Sequence, residues 1–196
     1  MWVEGWGHLP GQLVVVSGPS GCGKSSLIRR VYETGGLNLR LSVSATTREP
    51  RPGETQGLDY HFMTVEQFTD SRDRRDLLEH ATYNNRFYGT PARPVFQNLK
   101  EGHSVLLEIE VEGAKQVREH APTALYVFIR TPTFRVLEER LRSRGTETEP
   151  SIHRRLQAAR HELAEAHWYD VQIVNDDFDR CVEEFTTLLK ANGCGG

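Results

Sequence analysis

The chain lacks long apolar runs, paired cysteines and an excess of positive charge, and each absence excludes a class of protein. None of its hydrophobic stretches approaches the roughly 20 residues that a membrane span needs. The three cysteines, Cys22, Cys181 and Cys194, show no paired spacing, so we expect neither a disulfide framework nor a zinc site. The net charge of -3 excludes a broad nucleic-acid-binding face. These absences favour the reducing cytoplasm, with no membrane and no nucleic-acid partner, and they confine any polyanion site to a local cluster of arginines.

What the chain does have is an alternation of apolar runs and helix-like segments. Strands are predicted at 13–16, 105–109, 124–129 and 171–174, and helices follow them at 24–32, 111–120, 133–144 and 178–190. Because strands that alternate with helices pair in parallel through right-handed crossovers, this order predicts an α/β fold with a parallel sheet flanked by helices. The length of 196 residues suits one domain with inserted segments.

Two stretches break this alternation. Residues 39–94 hold short alternating pieces at 40–45, 58–63, 77–83 and 86–89, separated by turn residues, and they predict a small β-rich lobe. Residues 142–149 are polar and are predicted to be mobile, and a helix is predicted over 151–167, directly after Pro150. The final residues 191–196 end in Gly-Cys-Gly-Gly and are predicted to fray.

The most specific motif lies between the first strand and the first helix. Residues 18–25 match the pattern G-x-x-x-x-G-K-S, the Walker A phosphate loop of P-loop NTPases. In such a loop, backbone N–H groups close around phosphate oxygens, and the positive end of the following helix points at them. Lys24 would reach the β- and γ-phosphates of a nucleotide, and the Ser25 hydroxyl would ligate Mg²⁺. Cys22 has no base beside it in the sequence, so we expect a small filler rather than a reactive thiol.

Three sets of arginines suit the same chemistry. Arg48 and Arg51 stand three residues apart on a proline-stiffened turn, where two guanidiniums can grip one phosphate. The other two sets flank the polar segment and comprise Arg140, Arg142 and Arg144, then Arg154 and Arg155. Taken alone, each set is ordinarily solvated surface charge. In one chain with a phosphate loop, they predict a clamp for phosphoryl transfer.

Two carboxylates follow the strand predicted at 105–109. Glu108 and Glu110 share a face of that strand, at the end where parallel sheets bind nucleotides. An acidic group at this position supports magnesium in phosphate-loop proteins. The alternative is that one or both only cap the following helix, because acidic side chains favour helix N-termini.

Nearly the whole chain, from about residue 12 to 190, resembles the guanylate kinases, which are nucleoside monophosphate kinases that phosphorylate GMP from ATP. Residues 17–26, 42–54, 59–62, 85–90 and 173–177 carry the resemblance, together with 144–149. It implies a core at about 12–38, 95–140 and 168–190, a GMP-binding lobe at about 39–94 and a mobile helical lid at about 141–167. It also implies Mg²⁺-dependent in-line transfer that makes GDP and ADP, and it says nothing of protein partners.

The resemblance implies the site residues as well. ATP would be bound by Gly18, Pro19, Ser20, Gly21, Cys22, Gly23, Lys24, Ser25, Ser26, Arg140, Asn175 and Asp176. GMP would be bound by Ser44, Arg48, Arg51, Tyr60, Glu79, Tyr88, Thr90, Glu108 and Glu110. The catalytic residues would be Lys24, Arg51, Arg144 and Arg155. Glu79, Ser44 and Thr90 would read the base, because a carboxylate can accept from guanine N1–H and N2–H and a hydroxyl can donate to O6.

The chain departs from the family pattern at two places. Glu108 and Glu110 stand where many members have Asp-x-Asp, so the carboxylates are carried on longer arms. The aromatic pair before Gly89 is Phe87-Tyr88, which keeps only the second hydroxyl. Neither change removes a group that the reaction requires.

Two other functions fit parts of the sequence. Some scaffold proteins carry a guanylate-kinase-like module that binds peptides without catalysis, but such modules lose the lysine or the arginines that this chain keeps at Lys24, Arg144 and Arg155. A kinase for another phosphorylated acceptor, such as a ribose bisphosphate, would not need Glu79, Ser44 and Thr90 together.

Overall fold

The computed structural model describes residues 6–83, 85–143 and 148–196. The described part contains nine strands and seven α-helices, with short 3₁₀ turns at Trp6–His8 and Glu165–Trp168. In chain order they are β1 (Leu13–Ser17), α1 (Lys24–Thr34), β2 (Leu39–Leu41), β3 (Ala45–Thr46), β4 (His61–Phe62), α2 (Val65–Asp73), β5 (Leu77–Tyr83), β6 (Arg86–Pro91), α3 (Ala92–Lys100), β7 (Ser104–Glu108), α4 (Val111–His120), β8 (Leu125–Arg130), α5 (Phe134–Ser143), α6 (Glu149–Ala164), β9 (Val171–Val174) and α7 (Phe178–Leu189). Among these helices, none is long and apolar enough to cross a membrane.

The chain divides into two compact units. The first unit comprises Met1–Leu13, Leu39–Leu107 and Glu112–Ala124, and the second comprises Val14–Asn38, Glu108–Val111 and Leu125–Gly196. Each unit therefore gathers segments that are far apart in the sequence.

A five-stranded sheet has the order β2-β7-β1-β8-β9. β1 pairs in parallel with β8, β8 with β9, and β2 with β7. Backbone hydrogen bonds link the segments of β7 and β1 at both ends. The Val105 N–H donates to the Gln12 carbonyl (2.9 Å), and the Ile109 N–H donates to the Val16 carbonyl (3.2 Å). β1 is buried along its whole length, as expected for an apolar strand covered on both faces. The predicted α/β fold with a parallel sheet and crossover helices is confirmed.

The first unit contains a four-stranded sheet of order β4-β3-β6-β5. β5 and β6 form an antiparallel pair, and β3 joins β6 antiparallel and β4 parallel. Ala45, Phe68 and Leu77 form a small core with Met63 and Phe87 packed against it. The rings of Phe68 and Phe87 stack with centroids 5.5 Å apart. Phe87 therefore packs in this core, which accounts for a first aromatic without a hydroxyl.

Helix α2 was not predicted, although its start carries a clear signal. Thr64 accepts a hydrogen bond from the Gln67 N–H, and the Gln67 side chain accepts one from the Thr64 N–H. This reciprocal capping box fixes the first turn, and Phe68 then anchors the helix to the small core.

The structure corrects three further predictions. Leu39–Leu41 lies in the five-stranded sheet rather than with the lobe. Only Leu39 is buried and the next two residues are exposed, as suits the edge strand of a sheet. Helix α3 was missed, since Pro94 lies in its first turn, where a helix tolerates proline. Helix α6 begins at Glu149, before the predicted start, with Pro150 in its first turn.

The C-terminal residues are packed, contrary to the prediction that they fray. They form a π-helical turn, Lys190–Cys194, followed by a bridge between Gly195 and Leu37. The Asn38 N–H donates to the Cys194 carbonyl at 3.0 Å, and the Cys194 side chain is fully buried. Cys194 thus gives the tail an apolar anchor, and backbone hydrogen bonds hold its path.

Candidate functional site

The phosphate loop connects β1 to α1 in the second unit. At two of its glycines a side chain has no room, because a Cβ on Gly18 would lie 2.1 Å from the Ile129 carbonyl and one on Gly23 would lie 2.3 Å from Asn175 Nδ2. Gly23 also has a φ of 94°, which favours glycine, and it directly precedes the first residue of α1. The chain therefore approaches its neighbours closely here and leads into a helix N-terminus, as an anion cradle requires.

Lys24, Ser25 and Glu108 meet beside this loop. Lys24 Nζ lies 3.2 Å from Glu108 Oε1, and the Ser25 hydroxyl donates to the same oxygen at 2.5 Å. Burial of Lys24 is the largest single influence on its pKa and lowers it. The charge and hydrogen bond of Glu108, together with the charges of Cys22 and Glu162, raise the pKa by more in sum, so it lies above its ordinary value. Lys24 is therefore a cation that lies beside the loop.

The oxygens at this point suit a hard divalent cation. Ser25 and Glu108 supply a hydroxyl and a carboxylate, the ligand types that Mg²⁺ accepts, while substrate phosphates and water normally complete its shell. The described residues contain no group of three or more His, Cys, Asp or Glu side chains that could hold a metal without a substrate. The donor set fits a metal that arrives with a nucleotide.

The side chains of Arg140 and Asn175 both donate hydrogen bonds to the backbone of the loop. The Asn175 side chain donates to the Cys22 carbonyl at 2.7 Å, and Arg140 donates to the same carbonyl at 3.3 Å and to the Asn175 carbonyl at 3.0 Å. Asn175 is buried. Both residues, predicted to contact ATP, thus hold the backbone that would surround its phosphates. Asp176 is instead exposed and paired with Arg180.

The thiol of Cys22 is buried in the same place. Burial raises the pKa of this thiol, and the nearby Lys24 charge only partly opposes the effect. A thiol kept protonated is a poor nucleophile. The geometry agrees with the expected role of a small filler.

Helix α6 brings two further groups to the loop. Arg155 donates to the Ser20 hydroxyl, while Arg144, predicted for the same clamp, lies outside the described residues. Glu162 stands seven residues after Arg155, on the same helical face. Burial, and then the charge of Glu110, raise the pKa of Glu162 to about 7, although Lys24 opposes this. Glu162 was not predicted, and its seven-residue spacing from Arg155 is the signal that could have found it.

In the first unit, Glu79 and Thr90 form a buried pair. Glu79 is 5% exposed, Thr90 is fully buried, and the Thr90 hydroxyl donates to Glu79 Oε1 at 2.7 Å. The other carboxylate oxygen lies against Gly113, where a Cβ would be 2.5 Å away. Since buried carboxylates are rare without partners, this one stands out as an acceptor held in place.

Arg48 belongs to the same unit and is held by Glu54. Its guanidinium donates to both Glu54 oxygens, at 2.9 and 2.8 Å, and Glu54 also accepts from the Arg51 N–H at 2.7 Å. The Arg48 hydrogen bonds lower the pKa of Glu54 to about 2, so Glu54 is ionised at neutral pH. Glu54 lies in residues 42–54, which carry the family resemblance, but the resemblance implies no role for it.

Two tyrosines complete this group. The Arg48 guanidinium carbon lies 5.3 Å from the Tyr60 ring centre, and the rings of Tyr60 and Tyr88 are 6.2 Å apart in an edge-on arrangement.

The Arg51 side chain is exposed and makes no ion pair with another described residue. The Ser44 carbonyl accepts from the His61 N–H at 2.8 Å, which ties Ser44 to β4.

The structure thus divides the predicted residues between two clusters. The loop cluster, in the second unit, holds Lys24, Ser25, Glu108, Arg140, Arg155 and Asn175. The base cluster, in the first unit, holds Ser44, Arg48, Arg51, Tyr60, Glu79, Tyr88 and Thr90. Glu108 belongs by its contacts to the loop cluster, and Glu110 is exposed just after it.

Comparisons with known proteins identify the family of the chain. The profile of the family described as Guanylate kinase matches residues 10–192. A guanylate kinase of Gloeobacter violaceus is 50% identical over 93% of this chain and 89% of its own length. One of Thermosynechococcus vestitus is 47% identical over 92% of this chain and 94% of its own. The crystal structure of guanylate kinase from Anaplasma phagocytophilum superposes with a TM-score of 0.75 at 31% identity, over 92% of this chain and 85% of that one. The chain therefore belongs to the guanylate kinase family, and it is a nucleoside monophosphate kinase that phosphorylates GMP from ATP.

Proposed function

We propose that the base cluster binds GMP and the loop cluster binds ATP, in the roles that the following paragraphs give to each residue. The observation that carries this proposal is the buried Glu79–Thr90 pair. A carboxylate removed from water and aimed by a hydroxyl suits a base that presents two adjacent N–H donors. Guanine does so through N1–H and N2–H, and adenine does not.

Three side chains would take part in reading the guanine. Glu79 accepts from N1–H and N2–H, and Ser44 offers a hydroxyl for the remaining edge. Thr90, whose hydroxyl proton goes to Glu79, orients that carboxylate and keeps its oxygen as an acceptor. An adenine in the same place would leave the carboxylate unpaired and poorly hydrated. Such unpaired groups give discrimination of about 10⁴-fold in sites built to accept a substrate hydrogen bond.

The GMP phosphate would be held by Arg48, Arg51, Tyr60 and Tyr88. Glu54 keeps the Arg48 fork in one orientation through two hydrogen bonds, so little side-chain entropy is lost when the anion arrives. Arg51, without an ion pair among the described residues, is available for the phosphate. Its proposed catalytic role follows, because the group it would hold is also the nucleophile.

Transfer would proceed by in-line attack of a GMP phosphate oxygen on the γ-phosphorus of ATP. The new P–O bond forms GDP as the bond to the β-phosphate oxygen breaks, and ADP leaves. The attacking phosphate is already anionic near neutral pH, so no strong general base is needed. Lys24, Arg155 and Arg144 would neutralise charge that spreads over the transferring group. Arg140 and Asn175 keep the loop amides aimed at the phosphates, with Asp176 placed near the adenine.

Guanylate kinases use ATP with a divalent metal, and we propose Mg²⁺ for this chain, held through Ser25. When bound, the metal neutralises charge on the β- and γ-phosphate oxygens. Glu108 orients the Ser25 hydroxyl and offsets the Lys24 charge. With this assignment, Glu108 and Glu110 act near the phosphates of the substrates rather than on the guanine.

We propose the same assignment of segments to lobe, lid and core that the family resemblance implies. Residues 39–94, apart from β2 in the five-stranded sheet, would form the GMP-binding lobe, about 141–167 the lid, and the remaining segments the core. A place in the cytoplasm is supported by three free cysteines, all of them buried. ATP and GMP are the proposed partners.

Substrate comparison tests the proposal. Initial rates with ATP and GMP, AMP or ribose phosphates should show kcat/KM for GMP about 10⁴-fold above that for AMP. The Lys24→Met variant serves as the control that the turnover belongs to this protein. Comparable turnover of AMP or of a ribose phosphate would contradict the assignment of Glu79, Ser44 and Thr90 to the base.

A further inference from the structure

Glu79 lies at an irregular point of a sheet edge. β5 is the last strand of the four-stranded sheet, and its pairing with β6 shifts register between Leu77, opposite Pro91, and His80, opposite Gly89. Three steps along β5 therefore match two along β6, so one extra residue is accommodated beside Glu79. A bulge of this kind interrupts the ladder, redirects a side chain and leaves backbone groups that must find partners elsewhere.

Helix α4 provides that support through Gln116. The Gln116 side chain accepts a hydrogen bond from the His80 N–H at 3.1 Å and donates one to the His80 carbonyl at 2.9 Å. The same amide nitrogen lies 3.2 Å from the Glu112 carbonyl, one turn back on its own helix. One glutamine amide thus takes the place that a peptide group of a neighbouring strand would fill, and it holds the residue next to Glu79.

Gly113 lies one turn before Gln116, on the same face of α4. A Cβ at this position would be 2.5 Å from Glu79 Oε2 and 3.1 Å from its carboxyl carbon. The helix therefore contacts the Glu79 carboxyl directly at Gly113 and the adjacent main chain through Gln116. Thr90 fixes the opposite oxygen. The carboxylate is held from three directions by groups of one unit.

We propose that Gln116 and Gly113 are positioning residues for guanine recognition. They set the place of the Glu79 carboxylate without touching the nucleotide, and they thereby set the preference for a base that carries a 2-amino group. This inference rests on the proposed role of Glu79 as the acceptor for guanine.

The test compares GMP with IMP, which keeps N1–H and O6 but lacks the 2-amino group. In Gln116→Met the side chain keeps its length and loses both hydrogen bonds to His80. We expect the ratio of kcat/KM for GMP to that for IMP to fall about tenfold, through the KM for GMP, with the KM for ATP unchanged within twofold. Gln97→Met on α3 is the matched control, since the Gln97 amide is exposed and bonds only to Glu101 among the described residues. It should leave every constant unchanged.

Gly113→Ala keeps the helix and displaces the carboxylate instead of its strand. We expect a larger loss of the GMP preference than in Gln116→Met, while the melting temperature stays close to that of the wild type. Gln116→Asn, whose amide is one methylene too short for both bonds, should resemble Gln116→Met. An unaltered GMP-to-IMP ratio in all three variants, with only a lower melting temperature, would overturn the inference.

The Glu79→Gln variant separates this inference from its premise. If Glu79 reads the base, Glu79→Gln lowers the GMP-to-IMP ratio by itself, and adding Gln116→Met to it lowers the ratio little further. If Glu79→Gln leaves the ratio unchanged, the proposed function of Glu79 fails. If Glu79→Gln lowers the ratio but Gln116→Met and Gly113→Ala do not, only the positioning role fails.

Discussion

Glu79→Gln keeps the shape of a buried side chain and removes its charge. The Thr90 hydroxyl, 2.7 Å from Glu79 Oε1 in the wild type, can still donate to the glutamine carbonyl. The amide nitrogen then occupies the position of Oε2, beside Gly113. A guanine would meet one acceptor already used by Thr90 and one NH₂ group that faces its own N–H donors.

The size of the effect follows from the two hydrogen bonds that change. Hydrogen bonds to a charged group contribute about 1.5–3 kcal/mol each, and part of this loss is relieved because the glutamine carbonyl still accepts one bond. We therefore expect GMP to lose about 2–4 kcal/mol of transition-state binding, a fall in kcat/KM of about 30- to 1000-fold. AMP, whose N1 is an acceptor, should lose nothing or gain slightly from the new amide donor.

The measurement is kcat/KM for GMP and AMP in the wild type and in Glu79→Gln, at saturating ATP. Glu66→Gln, at an exposed position in the first turn of α2, removes the same charge from the surface of the same unit and should alter neither value. Equal proportional losses for GMP and AMP in Glu79→Gln would refute the reasoning, because they would show that Glu79 supports the fold rather than reads the base.

Four other variants probe the remaining groups. Lys24→Met should lower kcat about 100-fold or more and leave GMP affinity unchanged, and near wild-type turnover would remove Lys24 from the mechanism. Arg155→Ala, which breaks the contact with Ser20, should lower kcat with little change in the KM for GMP; a rise in that KM alone would assign Arg155 to the acceptor. Arg51→Ala should weaken GMP binding in calorimetry and also slow transfer, and an unchanged titration would contradict its phosphate contact. Because the folded pKa of Glu162 is about 7 against an ordinary 4.5, the wild type should lose up to about 3 kcal/mol of unfolding free energy as pH rises through this window. Thermal denaturation of Glu162→Gln should show a smaller loss, and an identical one would show that Glu162 titrates normally.

The elements predicted well are those whose signals are local. The phosphate loop lies between an apolar strand and a helix as expected, and β5 and α4 have the predicted bounds. Alternating residues such as Leu39, Arg40 and Leu41 fit any half-exposed strand, so their sequence alone could not decide between the two sheets. Helix α3 was hidden by a proline whose effect depends on its position in the first turn.

In the candidate site, too, only the residues with a local sequence signal could be predicted. Lys24 and Ser25 could be placed from a motif, because the loop itself fixes their geometry. The contacts of Arg140 and Asn175 with the Cys22 carbonyl join segments far apart in the chain, and no spacing encodes them. Gln116 is a similar case. Its helix was predicted, but its partner is the main chain of His80, and main-chain groups carry no residue-specific signal.

The packed C-terminal turn bears on how the protein is made. Leu37 and Asn38 leave the ribosome long before their partners, Gly195 and Cys194, are synthesised. The turn after α1 therefore stays uncovered until the whole stretch between Asn38 and Cys194 has been made. A stop codon just before residue 194 would release a chain that keeps every residue of both clusters yet cannot make this closure. We expect such a chain to show its defect first in yield and resistance to proteolysis, and only later in catalytic constants.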